Sequence, residues 1–434
     1  MRPNSLSLSN SKDILSAHAR IQAISQYGLL YLALLSGQSY FSEYFAGNIF
    51  TVIGLGLFIA ACLFPVFWRF RDMAYLASVL MLSVLVGTYV GGAGPGTFFK
   101  FSSTILLISF SITINNKSFP TRFLRLITVL AMMSMLVYVL RMVIPGFYYM
   151  LPLKEFESQG TYYSMLTAGQ VPYHTKGVLF FSIREAEARN IGIFTEPGVY
   201  QGVLNGALFY VLFLTDRLNM GRREVTRIAV ILLATLVTCG STTGYVTFAV
   251  LFAAFLLSRL GDSETSLRSR LILVAVALLS LFLLDFFLRG EKSFLVENVI
   301  DKIFIGENGS ADLSAGNSGA RLDSVLASLS SLSEHPFGVG FDAFQAYKAQ
   351  GAVGAGMFSY TASLGLPFAA ITLYWLFAPV FQAEIGLPAK VAYLFMYGYF
   401  TFSQVLIMTP VIVSISLFLA MEVRKETHAR SLAM

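Results

Sequence analysis

Long apolar runs are the feature that most constrains what this chain can fold into. Crossing the hydrocarbon core of a bilayer takes about 20 mostly apolar residues in a helix. About twelve runs approach that length, and they lie near 27–43, 48–67, 74–91, 97–114, 124–146, 197–215, 228–239, 244–258, 271–288, 357–378, 391–407 and 409–422. Only 12% of the residues are charged, against roughly 25% in soluble domains. The sequence therefore predicts an all-α, polytopic integral membrane protein with about 12 transmembrane helices.

The placement of lysine and arginine predicts the orientation of these helices. If the N-terminus is cytoplasmic, most basic residues fall on the inner side, and the short outer turns near 44–47, 92–96 and 240–243 carry none. We therefore expect both termini in the cytoplasm and two long loops, 147–196 and 289–356, outside. The net charge of +6 then reflects topology, and no nucleic-acid partner is expected.

The two long loops are expected to be insertions in a single membrane domain, residues 1–434, and to contain short helices. The first loop is rich in tyrosine and ends in "SIREAEARNIGIFTEP". In the second, apolar residues recur at helical spacing with serines opposite: Leu322, Val325, Leu326, Leu329 and Leu332. This pattern predicts an amphipathic helix that lies on the membrane or caps the outer mouth of the bundle.

The stretch "RNIGIFTEPGVYQG" places charges directly before an apolar run. Pro197 suits the first turn of a helix, where its missing N–H costs nothing. Thr195 or Glu196 can cap that helix, whose free N–H groups then point toward the loop. Arg184 and Arg189 lie just upstream. Together these features predict a positively charged, donor-rich pocket suited to a phosphate or pyrophosphate.

A structural interpretation stays open for each of these residues and for two in the second loop. Glu196 can simply cap, and the arginines can reach the interface or pair with Glu185 and Glu187. Arg321, in the first turn of the amphipathic helix, can contact lipid headgroups. His335, in "SEHPFGVG", can belong to a structural turn after that helix.

Ionisable residues are rare within the apolar runs. Arg141 and Asp285 lie near outer helix ends, where they can pair with each other or reach the interface. Cys62 and Cys239 fall in different runs, so no disulfide is expected. The sequence contains no motif for a metal site, a nucleotide-binding loop or a nucleophile elbow. We therefore expect no metal and no cofactor.

In their order and spacing, these motifs resemble the O-antigen polymerase and O-antigen ligase superfamily. The matching stretches are "RNIGIFTEPG" before a span, "SGARLDSVLASLSSLSEHPFGVGFDAF" in the second loop and "STTGYVTFAVLF" after the seventh span. The resemblance implies a GT-C-like membrane glycosyltransferase that acts on oligosaccharides linked to a polyprenyl diphosphate such as undecaprenyl diphosphate. It also implies metal-independent, inverting transfer at the outer face of the bacterial inner membrane. The resemblance implies membrane lipid as a partner, and it also allows a chain-length regulator and a flippase as partners.

The resemblance, together with the chemistry of such a transfer, indicates roles for individual residues. Arg189 and Arg321 match the loop arginines that hold the diphosphate, with Arg184 close by in sequence. If the attacking sugar hydroxyl needs a base, Glu196 is the first candidate and His335 the second. Tyrosines of the first loop offer ring faces for sugars: Tyr162, Tyr163 and Tyr173. Apolar clefts between the spans would hold the polyprenyl tail.

One departure from the family pattern separates the alternatives. Ligases of the superfamily carry a His-Asn pair shortly before the span that follows the large loop, but Gly354 and Ala355 stand there in this chain. This favours a polymerase that joins repeat units into O-antigen or a similar surface polysaccharide. The first alternative is a ligase that transfers finished glycan to a lipid or protein acceptor. The second is a flippase or transporter, which should show charged or broken helices at the midplane and symmetry between halves.

Overall fold

The structure is a computed structural model, and it is mostly helical, as the sequence predicts. It describes residues 22–37, 39–41, 95–163, 170–185, 189–259, 317–340, 356–404 and 409–433. The spans predicted near 48–67, 74–91 and 271–288 lie outside the described residues.

Most of the described helices follow the remaining apolar runs, and α4 and α8 lie in the two long loops. In the first half of the chain these are α1 (22–35), α2 (Pro95–Asn115), α3 (Phe119–Val143) and α4 (Phe147–Met150). The middle of the chain forms α5 (Pro197–Phe213), α6 (Arg222–Thr238) and α7 (Thr242–Arg259). The last part forms α8 (Asn317–Glu334), α9 (Gly356–Leu364), α10 (Leu366–Gln382), α11 (Leu387–Ser403) and α12 (Pro410–Ala433). Several begin with proline in the first turn, where no backbone hydrogen bond is lost.

The lengths of the apolar helices bear on whether they could cross a membrane. By length and composition, one described helical stretch, Thr104–Val143, could do so. It joins parts of α2 and α3 through a short 3-10 turn that contains Asn116, whose φ is 50°. Three other apolar helical stretches are shorter: Thr242–Ser258, Ala369–Gln382 and Pro410–Val423.

The first long loop contains a sheet that the sequence did not predict. Its three antiparallel strands lie in the order β1 (Glu155–Tyr163), β2 (Gln170–Val178) and β3 (Phe181–Arg184). The turn between β2 and β3 consists of Leu179 and Phe180. Tyr31 of α1 donates its hydroxyl to the carbonyl of Leu179, and its ring stacks on Phe180 with centroids 6.2 Å apart. The sheet is thereby attached to the helical bundle.

Helix α5 lies at the centre of the bundle, and its residues from Pro197 to Val211 are buried. Glycines at every fourth position form one of its faces. A Cβ added at Gly198, Gly202 or Gly206 would lie 2.0 to 2.2 Å from the nearest side-chain atom. Those atoms belong to Gln404, Phe400 and Val411, at the end of α11 and the start of α12. The glycines therefore allow α5 to pack at close range against both neighbours.

The prediction of one continuous helix near 357–378 is wrong, because the chain breaks at Gly365 between α9 and α10. Gly365 has a φ of 92°, and a Cβ there would lie 2.4 Å from the carbonyl carbon of Phe337. Gly338 has a φ of 93°, and a Cβ there would lie 2.5 Å from the carbonyl oxygen of Ser363. The two backbones therefore meet at a distance that only glycine permits.

Backbone hydrogen bonds join the turn after α8 to the residues on both sides of Gly365. Leu366 N donates to Pro336 O at 2.8 Å, and Gly340 N donates to Ser363 O at 3.0 Å. At the other end of α9, Gly356 N donates to Gln404 O at 2.9 Å. The residues that flank 341–355 are thus both fixed to helices.

Helix α8 forms where the amphipathic helix was predicted, and three of its serines face the protein. Ser324, Ser328 and Ser331 are buried, on the helix that packs against α9. Leu326 and Leu329 are 56% and 48% exposed. Part of the leucine face therefore points away from the bundle, while its contact with lipid remains a prediction.

Candidate functional site

The loop that joins β3 to α5 carries the motif "RNIGIFTEPG" and is attached to its neighbours by backbone hydrogen bonds. Ser182 of β3 donates its N–H to Gly192 O at 2.6 Å and its hydroxyl to Phe194 O at 2.7 Å. Tyr40 N donates to Ile193 O at 2.8 Å. The side chains of Ile191, Ile193 and Phe194 are buried in the core. Much of the motif therefore has a structural role.

Asn190 is buried, and its side chain joins the loop to two helices. Its Nδ2 donates to Thr238 Oγ1 at 2.9 Å and to Ser134 Oγ at 3.3 Å. Its Oδ1 accepts a hydrogen bond from Gly192 N at 3.0 Å. Ser134 Oγ is also 2.8 Å from Tyr200 Oη. Because this buried amide uses both its donor and its acceptor groups, it fixes the conformation of the loop.

The conformation of the same loop requires glycine at position 192 of the motif. Gly192 has a φ of 61°, and a Cβ there would lie 2.8 Å from the ring of Tyr200. A left-handed backbone and a close aromatic neighbour both exclude a side chain at this position.

Arg189 is exposed and lies on the turn between α6 and α7. Its Nη1 donates to Gly240 O at 3.4 Å. Gly240 has a φ of 57°, and a Cβ there would lie 2.7 Å from Cδ of Arg189. The aliphatic part of the Arg189 side chain therefore packs against the small-residue turn "CGSTTG". The charge of Arg189 stays at the protein surface.

A small pocket between α3, β3 and the loop has both Arg141 and Arg189 in its lining. Its lining includes Ser134, Tyr138 and Arg141 from α3, Ser182 from β3, and Arg189 and Asn190 from the loop. Arg141 Nη2 also donates to Glu185 O at 2.9 Å. The space inside is small, with room for about one water molecule. A phosphate group would therefore bind at the mouth of the pocket, where guanidinium groups can form charge-assisted hydrogen bonds with it.

The start of α5 lies beside this pocket in sequence but is not part of its lining. The helix begins at Pro197, as predicted, with Glu196 in the extended N-cap conformation. The Glu196 side chain makes no capping hydrogen bond. The pocket lining contains neither residue. The structure thus brings Arg189 to the pocket without the helix N-terminus that the sequence places next to it.

The other predicted charged residues lie in different surroundings. Arg184 is buried on β3, and its neighbour Ile183 lines the pocket. His335 is exposed at the end of α8, where its N–H donates to Ser331 O at 2.8 Å. Arg321 lies in α8, but its side chain is outside the described part of the structure. The convergence of Arg189 with Arg321 therefore stays a prediction.

The predicted sugar-binding tyrosines lie on the sheet. Tyr162 and Tyr163 belong to β1, and Tyr173 of β2 pairs with Ser158. Their side chains are outside the described part of the structure, so their contact with sugar remains a prediction. Gly354, Ala355, Asp285 and Cys62 are also outside it. Within the described ranges, no group of three or more His, Cys, Asp and Glu residues could hold a metal ion.

Arg141 and Asn190 are the site residues that the sequence interpretation missed. The sequence alone places Arg141 at the interface or in a pair with Asp285. A signal was nonetheless present, because Ser134, Tyr138 and Arg141 follow the i, i+4, i+7 spacing of one helix face. That face carries two hydroxyl groups and a guanidinium, an unusual set for an apolar helix.

The fold and the pocket define a mostly helical protein in which a small sheet and a motif loop surround two arginines. Residues 228–363 match the family model described as O-antigen ligase. The match confirms the resemblance to the O-antigen polymerase and ligase superfamily. It runs from α6 into α9 and includes the Gly240 turn and α8. Comparisons with curated proteins and with solved structures gave no match.

The family gives a general class of activity and location. Its proteins are membrane proteins and glycosyltransferase-like enzymes, either ligases or polymerases, that act on lipid-linked glycans.

Proposed function

We propose that this protein is a membrane glycosyltransferase that joins polyprenyl-diphosphate-linked oligosaccharide repeat units into a surface polysaccharide. The reaction takes place at the outer face of the bacterial inner membrane. The observation that carries the proposal is that Arg141 and Arg189 line one pocket, in a chain whose residues 228–363 match the O-antigen ligase family.

The two arginines suit the chemistry of this transfer. When the bond between the anomeric carbon and the diphosphate breaks, negative charge develops on the departing oxygen. Guanidinium groups held in place before the reaction stabilise that charge without reorganisation. Tyr138 lies in the same pocket lining, and its hydroxyl can add a hydrogen bond to the diphosphate oxygens. Attack by a sugar hydroxyl from the opposite face gives inversion at the anomeric carbon.

Embedding in the membrane is supported by the outer surface of α3. Large apolar side chains are exposed along this helix: Met132, Leu136, Val139, Met142 and Val143. An exposed apolar strip of this length is rare on a soluble protein and suits lipid chains. The polyprenyl tail of the substrate would then lie against apolar helices while its diphosphate reaches the pocket. A chain-length regulator and a flippase are proposed as protein partners.

A ligase that transfers finished glycan to a lipid or protein acceptor is the second candidate. The description of the matched family favours it. The absence of the His-Asn pair at Gly354 and Ala355 favours the polymerase.

The test is transfer by the purified full-length protein in liposomes that contain lipid-linked repeat units, with no nucleotide or metal added. A polymerase lengthens the repeat units into a ladder of products. A ligase makes one transfer when a lipid or protein acceptor is supplied and gives no ladder without it. Movement of unaltered substrate across the bilayer, with no new glycosidic bond, would identify a transporter and overturn the proposal.

A further inference from the structure

The sheet of the first loop carries a histidine paired with a carboxylate, outside the arginine pocket. His174 of β2 and Glu155 of β1 approach to 2.8 Å between Nδ1 and Oε1. Their side chains are 38% and 42% exposed, so both can be reached from solvent. In a neutral imidazole, a proton on Nδ1 that donates to the carboxylate leaves Nε2 as a hydrogen-bond acceptor.

The carboxylate of Glu155 is held from its other side as well. Tyr148 donates its hydroxyl to Oε2 of Glu155 at 3.2 Å. Lys176 Nζ lies 4.8 Å from the centre of the Tyr148 ring and donates to Tyr148 O at 3.3 Å. Burial, and then the negative charge of Glu155, raise the pKa of Tyr148, so its hydroxyl keeps the proton that it donates. Because both carboxylate oxygens have partners, the orientation of the imidazole is fixed.

Hydrogen bonds connect this pair to the arginine pocket. Glu185 N donates to His174 O at 2.9 Å, and Glu185 O accepts from Arg141 Nη2 at 2.9 Å. The Glu185 carboxylate also accepts a hydrogen bond from the hydroxyl of Tyr149. Arg141 lines the pocket together with Arg189. The backbone of Glu185 therefore bridges the histidine to the guanidinium proposed to bind the diphosphate.

We propose that the sheet surface around His174 binds the acceptor saccharide and that His174 takes the proton from its attacking hydroxyl. The inference rests on the proposed function. The hydroxyl oxygen forms the bond to the anomeric carbon, and the bond from that carbon to the diphosphate breaks with its electron pair going to the diphosphate oxygen. The hydroxyl proton goes to Nε2 of His174 and then to water. Glu155 stabilises the imidazolium that forms.

The arrangement distinguishes His174 from the two residues proposed from the sequence. Glu196 is absent from the pocket lining, and His335 lies at the end of α8 in the second loop. The imidazole of His174 has a carboxylate partner, as the histidine of a catalytic triad does, and the backbone of His174 is joined to the pocket through Glu185. Tyr149, which donates its hydroxyl to the Glu185 carboxylate, has an exposed ring that offers a face to a sugar.

The test measures initial transfer rates of the full-length protein in liposomes between about pH 5 and 8, the range in which histidine changes charge. The groups around His174 that also carry or exchange protons are Tyr148, Tyr149, Glu155, Lys176, Glu185 and Arg141. Wild-type rates should rise with pH across this range. His174→Gln should lower kcat by about 10²–10⁴-fold and remove the rise, with KM for the lipid-linked donor unchanged. Glu155→Gln should lower kcat and keep the rise.

Control variants separate a catalytic role from a structural one. Lys154→Gln changes an exposed residue next to the pair and should leave rates and pH dependence as in the wild type. If His174→Gln lowers the melting temperature and raises KM while the rise with pH persists, the pair only stabilises the sheet and the inference is wrong. It is also wrong if Glu196→Gln or His335→Gln, instead of His174→Gln, removes the rise. Absence of transfer by the wild type would contradict the proposed function itself.

Discussion

The stem of Arg189 rests on Gly240, with the guanidinium Nη1 3.4 Å from the glycine carbonyl oxygen. This contact joins the motif loop to the α6–α7 turn, so that two segments about 50 residues apart in sequence set the position of one charge. The turn is part of the region that matches the O-antigen ligase family.

Substitution of Gly240 should therefore disturb Arg189. Gly240→Ala places a Cβ 2.7 Å from Arg189 Cδ on a backbone whose φ is 57°. We expect the free energy of unfolding to fall by about 1–2 kcal/mol, because alanine disfavours this conformation. The transfer rate should fall by more than this loss of stability explains, because the guanidinium moves. Thermal unfolding and transfer rates check this. Gly398→Ala, at a helical glycine with no atom within 4 Å, should raise stability and leave transfer unchanged.

Loss of either pocket arginine should reduce transfer strongly. Arg141→Ala and Arg189→Ala each remove one donor to the developing charge, which typically costs about 10²–10³-fold in kcat. Lysine should restore only part of the rate, because it keeps the charge and loses the planar fork of donors. Arg223→Ala, at an exposed position in the first turn of α6, is the matched control and should behave as the wild type. Equal rates for Arg141→Ala and wild type would remove Arg141 from the site.

Loss of the Asn190 amide should destabilise the motif loop. Asn190→Leu leaves the N–H of Gly192 and the hydroxyl of Thr238 without their described amide partner. Leaving buried polar groups unsatisfied costs about 1–3 kcal/mol, which the melting temperature of the purified protein would report. The exposed Asn219 provides a comparison, and Asn219→Ala should change the melting temperature little. A stable Asn190→Leu protein would contradict the structural role of this residue.

The ion pair between α3 and α6 should add a small pH dependence to stability. Arg125 Nε lies 2.8 Å from Glu224 Oε1, and this hydrogen bond lowers the pKa of Glu224 below its ordinary value of 4.5. Because the folded pKa is the lower one, the pair stabilises the fold above pH 4.5, and this contribution is lost as pH falls through the folded value.

Glu224→Gln should remove the part of the decrease in melting temperature at acid pH that comes from the loss of this ion pair. The effect should be small and should shrink at high salt, because both side chains are more than one third exposed. Melting curves of the two proteins at several pH values, at low and high ionic strength, make the comparison. An acid-side decline that is identical in both proteins would show that the pair does not contribute.

The helix starts could be predicted from the sequence because their signals are local. Pro197 marks the first turn of α5, and its fixed φ is suited to a helix. Gly365 was missed as a helix break, since one glycine within an apolar run does not decide between a helix and a turn. The break becomes evident only when Phe337 lies against it, through a contact distant in sequence.

The sheet and the pocket depend on contacts between distant segments, which the sequence alone does not reveal. The strand residues of the first loop lack a clear apolar alternation, so no local pattern indicated strands. Arg189 could be chosen from its motif, because a charge beside an apolar run is unusual. Its neighbour Arg141 lies 48 residues earlier in sequence and joins the site only through the packing of α3 on β3.

The anchoring on both sides of residues 341–355 has a consequence for how such enzymes diversify. Gly340 and Gly356 are held near opposite ends of α9, roughly 14 Å apart for a helix of nine residues. In general, each doubling of the length of a flexible loop costs only about 0.6 kcal/mol. We therefore expect insertions or deletions between these two anchors to cost the described bundle little stability. Proteins that share these two anchors can then differ in the chain between them and keep the same bundle.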